Sequence, residues 1–446
     1  MSLQPRFLSH VLVLCVSTWI GTSNCSSKET DSTQKAGDAS QSQPSWPQWR
    51  GVNQDGIAPE GTYPLRWTEK EGVNWSLQLS GTGGSTPVIA GDKAFFTLGA
   101  AGNNELVGVD LTSGKIAWQT SIGKDAGGKH RKGSGSNPSA VTDGESVFAY
   151  FRSGDLACVS SEGKLRWSKN LQTMFGSDTL WWDLGSSPTL MGDMVIVAVM
   201  QSGPSYLVAF DKLSGDIVWK VDRMLNAPEE AAQSYATPVA IPSKDWIAVM
   251  GADHLTVHHA SDGRELGRVG GFNPDQEKYY RSISSPAVSG DIILCPYSRG
   301  STVTAIRLSD VVAGKGRDSV IWHRDDLGSD VPTPAIVSDR AYFVGDSKTK
   351  KGVVWAVDIE TGKTVWQTRL PKSRIGFSSS PIVANNHLFV TAENATTYVI
   401  GPLDASKPEL AETNPLDDSQ PFTVASPVPY QDGFLIRTRS SLYRIQ

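Results

Sequence analysis

The sequence predicts an all-β fold, an eight-bladed β-propeller of four-stranded antiparallel blades. Three observations predict it: a small-small-Pro cluster that returns at a near-constant interval, a β-rich run with Gly/Asp turns in each interval, and a surplus strand at the start that matches a deficit at the end. The prolines are Pro87, Pro138, Pro188, Pro238, Pro286, Pro334, Pro381 and Pro427, spaced by 51, 50, 50, 48, 48, 47 and 46 residues. A period of this length marks a repeated supersecondary unit.

Within the units, Ser186-Ser187-Pro188, Ser284-Ser285-Pro286 and Ser379-Ser380-Pro381 are near-copies, and Gly91-Asp92, Gly192-Asp193 and Gly290-Asp291 mark the turn that follows. The runs from Asp193 to Val199 and from Tyr206 to Asp211 are β-branched and apolar, so they read as strands. A second turn comes next. Leu213-Ser214-Gly215-Asp216 precedes Ile217-Val218-Trp219, as Thr112-Ser113-Gly114-Lys115 precedes Ile116-Ala117-Trp118 and Glu360-Thr361-Gly362-Lys363 precedes Thr364-Val365-Trp366. Glycine supplies the positive φ of a tight hairpin, and Asp110, Asp211 and Asp358 stand where a carboxylate accepts turn N–H groups. Four strands of about five residues fill such a unit without a long helix, which is the make-up of a propeller blade.

The eighth unit, Pro427 to Gln446, has only 20 residues, room for three strands. The missing one is at the other end, where Val73 to Leu79 repeats the fourth-strand pattern around Trp118. A ring closed by pairing the termini explains both facts and removes open sheet edges. A stacked solenoid explains neither.

Lys and Arg number 41 against 46 Asp and Glu, a formal charge of −5, which excludes a polybasic nucleic-acid binder. With 20% charged and 39% hydrophobic residues, 43 Gly and 14 Trp, the chain is a folded, turn-rich body. Arg6 precedes an apolar stretch from Phe7 to Ile20, long enough for a signal-peptide core and short for a membrane span. The expected organisation is a signal peptide over 1–25, a polar tether over 26–45 that cannot bury a core, and one propeller over 46–446. Thr22-Ser23-Asn24-Cys25 resembles a bacterial lipoprotein processing box with Cys25 as the acylated residue. Thr22 and Asn24 depart from its usual residues, so plain cleavage between Ser23 and Ser27 stays open. The expected location is the periplasm, the outer membrane reached through that lipid anchor alone, or the exterior. Cys158 and Cys295 are the only cysteines of the body, too few for a metal site and too differently placed in their blades for a disulfide; buried free thiols are expected.

The Asp-x-x-x-Gly-Lys-x-x-Trp turns, as in Asp110 to Trp118 and Asp358 to Trp366, resemble the quinoprotein-type repeat of the pyrroloquinoline quinone (PQQ) propellers, over roughly Trp46 to Gln446. The resemblance implies that these turns lock neighbouring blades together. The opening Trp46-Pro47-Gln48-Trp49-Arg50-Gly51 is similar to the start of secreted bacterial PQQ-repeat-like proteins. Such rings occur in PQQ dehydrogenases and in the BamB-like lipoprotein of the outer-membrane β-barrel assembly machinery, so the resemblance fixes a fold and leaves function open. One expectation is a non-catalytic, monomeric binding or scaffold propeller of the bacterial cell envelope, without a cofactor. The alternative is a PQQ-dependent oxidoreductase, which implies calcium, a catalytic carboxylate and an adjacent Cys-Cys pair against the quinone. The chain has no Cys-Cys pair and is shorter than those enzymes.

Repetition argues for structure, since an active site is needed once and a blade lock eight times. Trp118, Trp167, Trp219, Trp322 and Trp366 are therefore read as packing. The fourth unit carries His258-His259-Ala260-Ser261-Asp262-Gly263 with no Trp after it. His254 and His258 share a strand face, which invites a metal reading, but they replace Tyr206 and Phe210 and no third ligand lies near. Gly81-Thr82-Gly83-Gly84 lacks the Gly-Lys-Ser/Thr of a phosphate loop and reads as a connection. The non-repeated residues lie in the loops that join one blade to the next and share one face: His130, Arg131 and Lys132; Trp181, Trp182 and Asp183; Tyr235; Tyr279, Tyr280 and Arg281; Asp330; and Arg374 with Phe377. Aromatic and Arg side chains in loops are the types enriched at binding hot spots. They read either as a face for an envelope protein or small ligand, or as plugs of the central channel.

Overall fold

The computed structural model describes residues 46–68, 71–372, 374–416 and 421–446. The expected signal peptide, tether and Cys25 lie outside the described residues. Eight four-stranded antiparallel sheets follow one another around the chain. Blade 1 runs Val88–Ala90, Lys93–Ala100, Asn103–Asp110 and Lys115–Lys124, and blade 3 runs Thr189–Met191, Met194–Val199, Tyr206–Asp211 and Ile217–Asp222. Blade 8 contributes Val428–Tyr430, Gly433–Arg437 and Ser441–Ile445, and its fourth strand is Val73–Gln78, paired through Trp75 with Arg444 and Leu77 with Leu442. The ring is closed as the strand arithmetic predicts. No described helix is long and apolar enough to cross a membrane.

The middle strands are buried along all but their end residues because blades stack face to face, whereas the fourth strands are outermost. In Thr364–Arg369 only Trp366 is buried. That residue is the fourth strand's share of the contact between blades. The indole N–H of Trp118 donates to the Ser161 carbonyl of the next blade (2.9 Å), Trp167 to Lys212 (3.0 Å), Trp219 to Ala260 (2.9 Å) and Trp322 to Ile359 (2.8 Å). The turn glycine lies flat on the same ring. A Cβ on Gly215 would come 2.6 Å from Trp167, and one on Gly362 2.6 Å from Trp322, both at φ near +70°. The turn aspartates accept the expected N–H groups, as Asp110 does from Ser113 at 2.7 Å, and these bonds hold its carboxyl below the usual range.

The tryptophan is absent from two blades: blade 7 carries Glu412 at its position, and blade 4 lacks it for a physical reason. Blade 4 has Gly267 where six blades carry Trp, and a Cβ there would meet the Val311 carbonyl at 2.1 Å. The helix Leu308–Val312 of blade 5 fills the space that an indole takes elsewhere.

A second repeated element encircles the axis. The backbone N–H of Thr86 donates to Ser139 Oγ, Ser139 to Ser187, Ser187 to Thr237, Thr237 to Ser285, Ser285 to Thr333, Thr333 to Ser380, Ser380 to Ser426, and Ser426 back to Thr86 Oγ1, all at 2.9–3.1 Å. In seven units this hydroxyl residue immediately precedes the proline. The second unit corrects the proline register: Ser139 follows Pro138, and Ala140 stands where the others have proline.

Trp46 to Ala58 explain the distinctive opening segment. Trp46 bridges Ile89 of blade 1, the Pro47 carbonyl accepts from Thr142 of blade 2, Gln54 bonds both ways with Pro238 and Ala240 of blade 4, and Ala58 donates to Val383 of blade 7. Arg50, 1% exposed, donates to the Thr333 and Pro334 carbonyls at 2.9 and 2.5 Å. These contacts run along the inner strands, from their middle residues Ile89, Ala240 and Val383 to the Pro238, Thr333 and Pro334 carbonyls just before them, so the segment lies in the channel and stops it below the inter-blade loops.

Candidate functional site: a blind funnel on the inter-blade face

With one end stopped, the channel becomes a funnel enclosing about 1210 Å³ and open on the face of the inter-blade loops. Trp49 of the stopper and the hydroxyl ring form its narrow part, with Thr86, Ser139, Ser187 and Ser285 on the wall. Of the loop residues singled out from the sequence, His130, Arg131, Lys132, Trp182, Asp183, Tyr235, Arg281, Asp330, Arg374 and Phe377 all line it. Trp181, Tyr279 and Tyr280 do not. Trp181 and Tyr279 form a neighbouring exposed pair, rings 6.4 Å apart, at 44% and 56% exposure. Tyr280 packs edge-on against Tyr297.

The wall residues divide by task. Asp183 is a staple between loops, accepting the backbone N–H of Lys129 (2.6 Å) and His130 (2.9 Å). Tyr235 is buried with its hydroxyl on Gln233, and Phe377 packs against Tyr398. Trp182 stands over the rim, its indole N–H on Glu230 at 2.7 Å and its ring edge-on to His130. Arg281 bridges Glu230 (3.2 Å) and Asp330 (3.0 Å). Asp346, behind Asp330, accepts the N–H groups of Asp330 and Val331 at 2.8 and 2.9 Å. Burial, reinforced by the Asp330 charge, pushes the Asp346 carboxyl up to about 7.

Sequence reasoning missed Glu230, Arg299, Asp346, Lys351, Glu393 and Arg439. Five of these lie in the hairpins between second and third strands. In an antiparallel meander, alternate connections share a face, so these hairpins crown the same opening as the inter-blade loops. That alternation was the available signal.

The histidines resolve as packing. His258 is buried, with Nδ1 bonded to the Gly263 carbonyl and Nε2 to Thr256 Oγ1, and burial lowers its pKa to about 4. His254 Nδ1 is engaged by the Ala252 carbonyl at 2.6 Å. Cys158 and Cys295 are free and buried in separate blades.

The family model described as outer membrane protein assembly factor BamB matches residues 67–203, 102–270 and 309–408, more than half of the chain. The chain belongs to the BamB-like, PQQ-repeat propeller family. Among solved structures, BamB from Moraxella catarrhalis aligns with TM-score 0.59 at 14% identity, covering 84% of this chain and 99% of that one. Quinohemoprotein alcohol dehydrogenase from Comamonas testosteroni aligns with TM-score 0.67 at 12% identity, covering 90% and 80%. A europium-containing methanol dehydrogenase aligns with TM-score 0.64 at 11% identity, covering 87% and 88%. These likenesses show the fold. A search of the curated proteins found no match.

The funnel of this BamB-like propeller does not fit a calcium-held quinone. Its carboxylates are already committed: Asp330 to Arg281, Asp346 to two backbone N–H groups, and Glu393 to Lys132 and Ser378. Among the described residues no group of three or more His, Cys, Asp or Glu converges to hold a metal ion. The two thiols of the body stand in different blades, so no adjacent pair faces the funnel.

Proposed function

We propose that this chain is a non-catalytic binding propeller of the bacterial cell envelope, exported and acting as a monomeric ring that captures a protein partner on the inter-blade face. One observation carries the reading: the repeated residues are consumed by the inter-blade locks and the axial hydroxyl ring, while the non-repeated ones converge on one open, blind funnel and its aromatic rim. Trp181, Trp182 and Tyr279 keep 44%, 39% and 56% of their surface exposed, and large exposed aromatics gain by burial against a partner.

The test replaces Trp181 and Tyr279 with Ala and compares partner capture with thermal stability. Loss of capture at an unchanged melting temperature supports the reading, and loss of stability with capture intact makes these residues packing elements. Cys25→Ala checks the anchor separately: release from the membrane fraction is expected if a lipid is attached there. Titrating the mature chain with PQQ and calcium checks the oxidoreductase alternative, for which a stoichiometric quinone absorbance would speak.

A further inference from the structure

The funnel wall has a charge opposite to that of the chain. Seven Lys and Arg and four Asp and Glu side chains line it, while the whole chain carries −5. The excess is local. Lys132 is held by Glu393 at 2.6 Å and Arg281 by Glu230 and Asp330, but no described carboxylate pairs with Arg131, Lys351, Arg374 or Arg439.

These four cations form one arc. Arg439 donates to the Arg131 carbonyl at 2.9 Å, and Lys351 Nζ donates to the Arg374 carbonyl at 3.1 Å. The two pairs are joined through Lys132 on Glu393, whose own N–H bonds the Gly376 carbonyl at 2.9 Å. Arg439 also lies 4.7 Å over the Phe422 ring, which holds its guanidinium flat. Like charges gathered without counter-charges repel one another in the folded state, so an anion from outside relieves the arc.

The spacing distinguishes between anions. A compact phosphate is held where several donors converge on one point, commonly backbone N–H groups at a helix start. Here the cations are strung along the rim from the blade 1–2 loop through blade 8 to blades 6 and 7, which suits single charges spaced along an extended chain. Below them, the ring hydroxyls each use a lone pair on a neighbour's N–H and keep a proton to donate.

We infer that the arc of Arg131, Lys351, Arg374 and Arg439 seats an extended Asp/Glu-rich segment of the captured partner. This rests on the inter-blade face being the binding face, and it adds the chemistry of what enters the funnel. The probe is a fluorescent hexaglutamate peptide, with hexaglutamine and pyrophosphate as comparisons, titrated into the mature full chain. Binding of hexaglutamate alone is expected, weakened about tenfold by the triple change Arg131→Gln, Arg374→Gln and Arg439→Gln, and by salt raised to about 0.5 M. Arg439→Lys in place of Arg439→Gln should restore part of the loss, because it keeps the charge. Equal binding of hexaglutamine, or no effect of the triple change on a chain that melts normally, overturns the inference. So does pyrophosphate displacing the peptide at lower concentration than hexaglutamate itself. If Trp181→Ala and Tyr279→Ala abolish partner capture while hexaglutamate fails to bind, the face stands and the acidic segment falls; if capture is also insensitive to them, both fall.

Discussion

Gly263→Ala tests the inter-blade lock at the place where it works alone. Trp219 is 8% exposed, lies against Gly263 of blade 4 and donates to Ala260, and blade 4 has no Trp of its own to pass the contact on. A Cβ on Gly263 would sit 2.4 Å from the Trp219 ring at a backbone φ of +73°. The backbone strain costs about 1 kcal/mol, and displacing a packed indole a further 1–3 kcal/mol, roughly the cost of overpacking. Trp219→Ala alone should cost about 3–5 kcal/mol. In the double variant the clash partner is gone, so Gly263→Ala then costs only its strain, and the double loss should fall short of the sum by about 1–3 kcal/mol. Urea denaturation of the four chains, followed by tryptophan fluorescence and far-UV circular dichroism, measures this. Strict additivity would mean that the glycine is there for the turn alone and that the stacked ring is incidental.

Removing Pro427 to Gln446 takes away three strands and leaves Val73–Gln78 without its partner, so the melting temperature should drop sharply, and an unchanged melt would refute terminal closure. His258 is held neutral with a pKa near 4, below the ordinary 6.5, so the stability it contributes is present above pH 6.5 and is lost as pH falls through 4. That loss amounts to about 3 kcal/mol, and His258→Gln should flatten the acid limb of the stability curve. Asp346 has the opposite sign: its carboxyl is raised to about 7, so stability is lost as pH climbs from the usual carboxylate range through 7. Asp330→Asn should reduce that loss in melts between pH 5 and 8, because it removes the neighbouring negative charge.

The ring, its closure and the structural use of tryptophan were legible because each is repeated, and a period survives divergence of individual residues. Pro138 shows the limit: a proline two residues out of register kept the apparent spacing while Ser139 and Ala140 held the real positions. The inter-blade loops could be assigned to one face, and ten of their residues do line one funnel. Tyr280 could not be separated from its exposed neighbour Tyr279, since only its packing on Tyr297 tells them apart. Arg50 was invisible as a channel stopper, because its partners are backbone carbonyls nearly 300 residues away. The cationic arc was missed for a related reason. Lys351 and Arg439 belong to different hairpins of the repeat and meet Arg131 and Arg374 only when the ring closes.

Site-specific photocrosslinking in the native envelope bears most directly on the division between a structural repeat and a binding face. A crosslinker at Trp181 or Tyr279, on the inter-blade face, should trap one discrete partner, and a crosslinker at Leu213 or Thr361, exposed on the turns of the opposite face, should not. Adducts formed from Leu213 and Thr361 but absent from Trp181 and Tyr279 would contradict the account.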